Sequence, residues 1–357
     1  MRVMVIGGSN SVMEPGYVSA MVDVLQQQHD LQVSDLTNIS IGANNCLIGL
    51  EAAMMHGKLA EFDKFVIEFV INDYKLAHVT KISTWLAGYE GLLRHILRQA
   101  PDAQIFNLVL GKSGENTLNR LRRLRRGVDE LTRHYSQDFN VYRVDYDGHL
   151  RRRTEGARNA FLAHYADDAH YKRPKATQAL GSFLARGVAK PPIIVPRGPR
   201  ALPPPLSPTP FDDATMIELI NRPGVTPVEL KNSRFTRQVG RLACGESITV
   251  ELPGPMISLS YLATGDGGGL LIEEEGREPV AIYTCHAFAL TAPGRFVIKN
   301  YVCVSDEWHP LPKRVKLTAI PSEEAKAMGE RFFWDNSMVP SPHADTGVHL
   351  SNILCYT

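Results

Sequence analysis

Hydrophobic and polar positions change their period along this chain in a regular order. Short apolar runs near 2–7, 31–36, 63–70, 104–110 and 139–145 read as strands. Between them lie segments with apolar residues at three- and four-residue steps. Tyr17 to Gln28 carries Val18, Met21, Val22 and Leu25 on one face, and Ile82 to Gln99 and Thr117 to Tyr135 follow the same rule. Apolar strands alternating with amphipathic helices predict βαβ units, hence an α/β domain with a mainly parallel sheet covered on both faces. Reactive groups in such a sheet collect at the carboxyl ends of the strands.

The pattern breaks at 191–210, where prolines are dense enough to exclude both a helix and a central strand. This stretch is expected to be a semi-rigid linker. Beyond it come short β-like runs separated by glycine and proline: Ser247 to Leu252, Ile257 to Ala263, Leu270 to Glu274, Val280 to Thr284, Phe296 to Val304 and Arg314 to Ala319. They predict a smaller β-sandwich or jelly-roll-like domain over 211–357, after an α/β domain over 1–190. In the tail no period is readable. Phe332, Phe333 and Trp334, with Trp308, suit core packing better than a sugar-stacking surface.

Composition narrows the classes. A chain of 357 residues has room for two domains, and 44% hydrophobic, 22% charged and a net charge of +1 describe an ordinary globular protein with no basic excess to suggest nucleic acid. Apolar runs stop short of the roughly 18 residues a membrane span needs. The run Met1 to Ile6 meets Gly7-Gly8 too soon for a signal peptide, so a cytoplasmic location is expected. Cys46, Cys244, Cys285, Cys303 and Cys355 are odd in number and include no Cys-x-x-Cys pair, which speaks against a disulfide framework and a structural zinc site. His78, His95, His134 and His164 show no metal-ligand spacing, and no metal or cofactor is called for. Arg120, Arg122, Arg123, Arg125 and Arg126 read as the solvated face of their helix.

Four stretches carry chemistry: Gly7-Gly8-Ser9-Asn10-Ser11, Ile41-Gly42-Ala43-Asn44, Val70-Ile71-Asn72-Asp73 and Asp167-Asp168-Ala169-His170. A serine hydroxyl attacks only when a base removes its proton and donors meet the developing oxyanion. Ser9, in a tight turn after the first strand, is the candidate nucleophile, with Ser11 the alternative hydroxyl. Gly42 has no side chain to keep its N–H from a ligand, and Asn72 offers an amide donor where an apolar run ends. His170 is the candidate base, and an aspartate three residues earlier could orient its ring; the adjacent Asp168 leaves the register between Asp167 and Asp168 open. Asn10, Asn44, Asp73 and Arg152 are candidate substrate contacts, Arg152 through its cluster Arg151-Arg152-Arg153.

These ordered blocks resemble the SGNH (GDSL-type) hydrolase superfamily, with Ser9, Gly42, Asn72 and His170 matching its four signature residues and Asp167 its orienting acid. The resemblance covers roughly residues 1–190. It implies a flavodoxin-like three-layer fold, an oxyanion hole formed by Ser9, Gly42 and Asn72, and action on acyl esters, often O-acetyl groups on carbohydrates. Two positions depart from the pattern: Gly8 stands where the family has aspartate, and Val70 where it usually has glycine. The Gly-Gly-Ser-Asn-Ser form is similar to bacterial members that modify surface polysaccharides. The expected activity is serine-dependent hydrolysis of such esters through an acyl-enzyme. An O-acyltransferase to a sugar acceptor and a carbohydrate- or protein-binding module with weak catalysis are the alternatives, and oligomeric state is left open.

Overall fold

The computed structural model describes residues 1–114, 118–155, 157–191, 201–291, 294–303, 312–328, 337–343 and 347–357. The chain divides into two compact units, Met1–Asp212 and Asp213–Thr357. In the first, strands β1 (Arg2–Gly7), β2 (Asp35–Asn38), β3 (Lys64–Glu68), β4 (Gln104–Val109) and β5 (Val141–Asp145) form one parallel sheet in the order β2-β1-β3-β4-β5. Helices α1 (Ser9–Val12), α2 (Tyr17–His29), α3 (Cys46–His56), α4 (Val70–Val79), α5 (Ile82–Gln99), α6 (Leu118–Tyr135), α7 (Tyr146–Thr154), α8 (Arg158–Leu162) and α9 (Lys175–Ala189) accompany it.

Side chains one residue out of phase on a strand point to opposite faces. Val3 and Val5 join Val66 and Phe106 in a core with Met21 of α2 and Leu184 of α9. Ile6 faces Gly49 of α3 instead. Both faces are therefore covered, which is why the strands read as unbroken apolar runs. From β1 the chain steps outward to β2 and returns to β3 on the other side of β1. A doubly wound sheet opens a crevice at such a switch, outside the carboxyl ends of the two strands.

Three elements differ from the sequence expectation. The second strand pairs at Asp35–Asn38 rather than 31–36, because Leu31 and Val33 pack on the core as connecting chain. The third strand ends at Glu68, and Val70 and Ile71 open α4. Helix α3 left no stripe to read, since Cys46 to Ala53 are all buried. Part of the proline-rich stretch expected to be a semi-rigid linker packs within the first unit. Residues 192–200 lie outside the described residues, but 201–212 belong to the first unit. Leu206 and Ser207 N–H groups donate to Glu90 of α5 at 2.7 and 2.6 Å, Arg94 donates to the Pro203 carbonyl at 2.7 Å, and Arg94 and Arg98 pair with Asp212 at 2.6 and 2.7 Å. A proline-rich chain cannot satisfy its own polar groups by helix or sheet, and here side chains of α5 do so.

The second unit holds β6 (Thr215–Glu218), β7 (Thr226–Lys231), β8 (Thr236–Leu242), β9 (Ser247–Leu252), β10 (Met256–Thr264), β11 (Gly269–Glu274), β12 (Val280–Tyr283), β13 (Cys285–His286), β14 (Phe296–Val302), β15 (Lys313–Ile320), β16 (Met338–Val339) and β17 (Val348–Cys355), with short helices α10 (Ala287–Leu290) and α11 (Ser322–Ala327). Eight strands form a sheet with the path β16-β13-β10-β17-β8-β7, β14 pairing with β10 and β6 with β17; four form a second sheet, β12-β11-β15-β9. Leu259, Tyr261, Leu350 and Ile353 of the larger sheet share a core with Val250, Leu270, Ile272 and Leu317 of the smaller. This is a mostly antiparallel β-sandwich. The five cysteines form no disulfide with one another, and among the described residues no helix is long and apolar enough to cross a membrane. Trp308, Phe332, Phe333 and Trp334 lie outside the described residues.

Helices α2 and α9 touch backbone to backbone. A Cβ on Gly181 would lie 2.6 Å from Ala20 Cβ and 2.7 Å from the Tyr17 carbonyl oxygen. Gly181→Val is expected to cost about 1–3 kcal/mol through overpacking, read as a lower denaturation midpoint at unchanged slope.

Candidate active site

The crevice between β1 and β3 is built from a turn, a loop and a helix start. Gly7 of β1 pairs with Glu68 of β3, and the Gly8 N–H donates to the Glu68 carbonyl at 3.0 Å. That bond bends the chain into α1 and presents Ser9, which is half-buried. Ser11 points the other way. Its hydroxyl donates to Glu68 Oε2 at 3.0 Å and lies 2.7 Å from the Tyr17 hydroxyl, all three groups being buried. Ser11 is therefore part of the support beneath the turn.

The second component precedes α9. Tyr165 and Tyr171 form an antiparallel bridge, and the Tyr171 hydroxyl accepts the Gly111 N–H at 3.3 Å. Within the loop they close, Asp167 Oδ1 accepts the N–H groups of Ala169 and His170, each at 2.8 Å. This local turn leaves Oδ2 free to meet His170 Nδ1 at 2.7 Å. His170 Nε2 lies 2.8 Å from Ser9 Oγ. A carboxylate at Nδ1 selects the tautomer with the proton on that nitrogen, so Nε2 accepts from the serine. Burial works against the Asp167 charge, but the two N–H groups and the ring hold its pKa below the usual carboxylate range. Asp168 faces outward, paired with Lys112 at 2.6 Å and accepting the Gly114 N–H at 3.1 Å. Asp167 is thus the neighbour of His170.

The third component is the Gly42 loop and the start of α4. Gly42 lies against the turn: a Cβ there would sit 3.7 Å from Ser9 Cα. Asn72 occupies the first turn of α4, and a Cβ on Gly8 would overlap its amide group. A side chain at position 8 would have to displace that amide.

Four residues offered as substrate contacts have other positions. Asn10 is fully buried, donating from Nδ2 to the Ala169 carbonyl at 2.9 Å and accepting the Tyr171 N–H at 3.2 Å. Asn44 is buried and donates to the Gly42 carbonyl at 3.0 Å, shaping its own loop. Asp73 is buried and accepts the Cys46 N–H and the Trp85 indole N–H, both at 2.8 Å, bracing α4 against α3 and α5. Arg152 is exposed on the last turn of α7, where its charge falls on His149. Among the described residues no contact joins it to Ser9 or His170. The structure brings together Ser9, Gly42, Asn72, Asp167 and His170.

Sequence reasoning missed Glu68. Its signal was a lone charge inside Phe65-Val66-Ile67-Glu68-Phe69-Val70-Ile71, an apolar run that has no cause to carry one unless it has partners. Burial pushes its pKa up to about 8 against the opposing pull of Ser11 and the Gly8 N–H, and burial pushes Asp73 up to about 7.

No protein-family model matches the sequence, and no curated protein does. Among solved structures, two crystal structures of a two-domain esterase active on acetylated mannans, one co-crystallised with mannopentaose, match the chain from end to end. The chain shares its fold with that esterase. Each match is 16% identical and covers 100% of this chain; the first covers 92% of the other chain at TM-score 0.67 and the second 91% at 0.66.

Two outcomes follow from this geometry. A carboxyl whose pKa is higher folded than unfolded binds its proton more tightly in the native state, so the stability it gives is present at low pH and lost as pH rises toward the folded value. Thermal stability is expected to decline between about pH 5 and pH 8, and Glu68→Gln to flatten that decline in calorimetric scans. Gly8→Ala is expected to push the Asn72 amide aside at a cost of about 1–3 kcal/mol, read as a lower denaturation midpoint.

Proposed function

We propose that the protein is an SGNH-type serine esterase that removes acyl groups, O-acetyl above all, from carbohydrate. The observation that carries this reading is the unbroken relay Asp167–His170–Ser9, at 2.7 and 2.8 Å, lying beside Gly42 and Asn72 at one sheet edge. His170 Nε2 takes the Ser9 proton as Oγ attacks the acyl carbon. Charge that collects on the carbonyl oxygen is met by the N–H groups of Ser9 and Gly42 and the Asn72 side-chain amide. The imidazolium, stabilised by Asp167, then returns its proton to the departing sugar oxygen. Water enters by the reverse path and releases the acid, restoring Ser9.

The O-acetyl and carbohydrate parts of the reading draw support from the fold shared with an esterase active on acetylated mannans. The test is turnover of p-nitrophenyl acetate, acetate release from acetylated mannan, and labelling by a fluorophosphonate probe. Ser9→Ala is expected to abolish labelling, and Ser9→Ala and His170→Ala each to reduce turnover by at least about 10³-fold. Full turnover by Ser9→Ala would refute the assignment.

A further inference from the structure

Asn10 follows the proposed nucleophile in sequence, yet its side chain reaches the loop of the proposed base. One amide makes two bonds there, Nδ2–H to the Ala169 carbonyl at 2.9 Å and the Tyr171 N–H to Oδ1 at 3.2 Å. The Ala169 carbonyl belongs to the peptide plane entering His170, and the Tyr171 N–H to the plane leaving it. Fixing both planes fixes the backbone of His170 on either side of its Cα, and with it the direction of Cα–Cβ. The geometry points to Asn10 as the positioning residue that aims the His170 imidazole at Ser9.

Three features support this role over that of a generic buried amide. The side chain is fully buried, and its bond with the Tyr171 N–H lies wholly in the interior, away from competing water. Both ends of the clamp are anchored. On the Ser9 side, Gly8 and Ser11 are bonded to Glu68. On the His170 side, the loop is closed by the Tyr165 and Tyr171 bridge and by the Ala166 N–H on the His170 carbonyl at 2.8 Å. The contact also demands asparagine chemically, because one side must donate and the other accept. Aspartate would set a carboxylate oxygen against the Ala169 carbonyl, and leucine would leave both peptide groups unsatisfied. Lys112 and the Gly114 N–H also hold this loop, but through Asp168, two residues before the ring.

This inference rests on the esterase reading and is tested with p-nitrophenyl acetate on the full chain. Asn10→Ala is expected to lower kcat about a hundredfold with KM within about threefold of wild type, because a misaimed base leaves ester binding intact. Asn10→Asp keeps the size and the acceptor for Tyr171, and is expected to share the loss; thermal scans verify that it is folded. In a His170→Ala background, where no imidazole remains to be aimed, Asn10→Ala is expected to change the residual turnover by less than about threefold. The proposal is overturned if folded Asn10→Asp keeps kcat within about threefold of wild type, or if Asn10→Ala costs the same factor with His170 absent. Either result alongside inactive Ser9→Ala removes the clamp alone, whereas an active Ser9→Ala removes the esterase reading itself.

Discussion

The pairing of β1 with β3, Gly7 opposite Glu68, is the constraint from which the rest of the site follows. Two neighbouring parallel strands deliver their following segments to the same edge, one into α1 and the other into α4. The segments leave so close together that the Asn72 amide occupies the space a side chain on residue 8 would need. The placement of Ser9 and Asn72 is thus set by strand register, which is held by the whole sheet, and not by loop conformation. A register shift of one residue would turn both strands inside out, so this spacing is as rigid as the core.

Support beneath the site comes from carboxyl groups that are costly to bury. Glu68 receives the turn through Gly8 and Ser11, and Asp73 ties the start of α4 to α3 and α5. Both have pKa values raised by burial, so part of the folding free energy is given up near neutral pH to hold these groups in place. An apolar pair of the same volume would leave the Ser11 hydroxyl and the α3 N-terminus without these carboxyl acceptors. The base loop is held differently, by short-range turns around Asp167 and by one long-range amide, Asn10.

Much of the first unit was legible in the chain. Strands β1, β4 and β5 and helices α2, α5 and α6 announced themselves because each combines a clear period with turn residues at its ends. Helix α3 and strand β17 did not, for one physical reason: both are buried on nearly all sides and so show no polar face. The four motif blocks contained the groups that the fold brings together, yet Asn10, Asn44 and Asp73 looked like equally good ligand contacts. Polar residue type and motif membership do not separate a group that meets substrate from one that satisfies buried backbone; burial does.

By itself the sequence determined the alternation of strand and helix, the change of texture after the proline-rich stretch, and the chemical inventory of hydroxyl, imidazole, carboxylate and amide. These depend on local periodicity and residue type, which neighbouring positions carry without reference to the fold. Only the tertiary structure decided that Asp167 and not Asp168 meets His170, that Ser11 points inward to Glu68, and that residues 201–212 lie on α5. Each depends on groups brought together across the chain, such as Ser9 with His170 and Arg94 with Asp212, whose meeting is determined by strand order and packing.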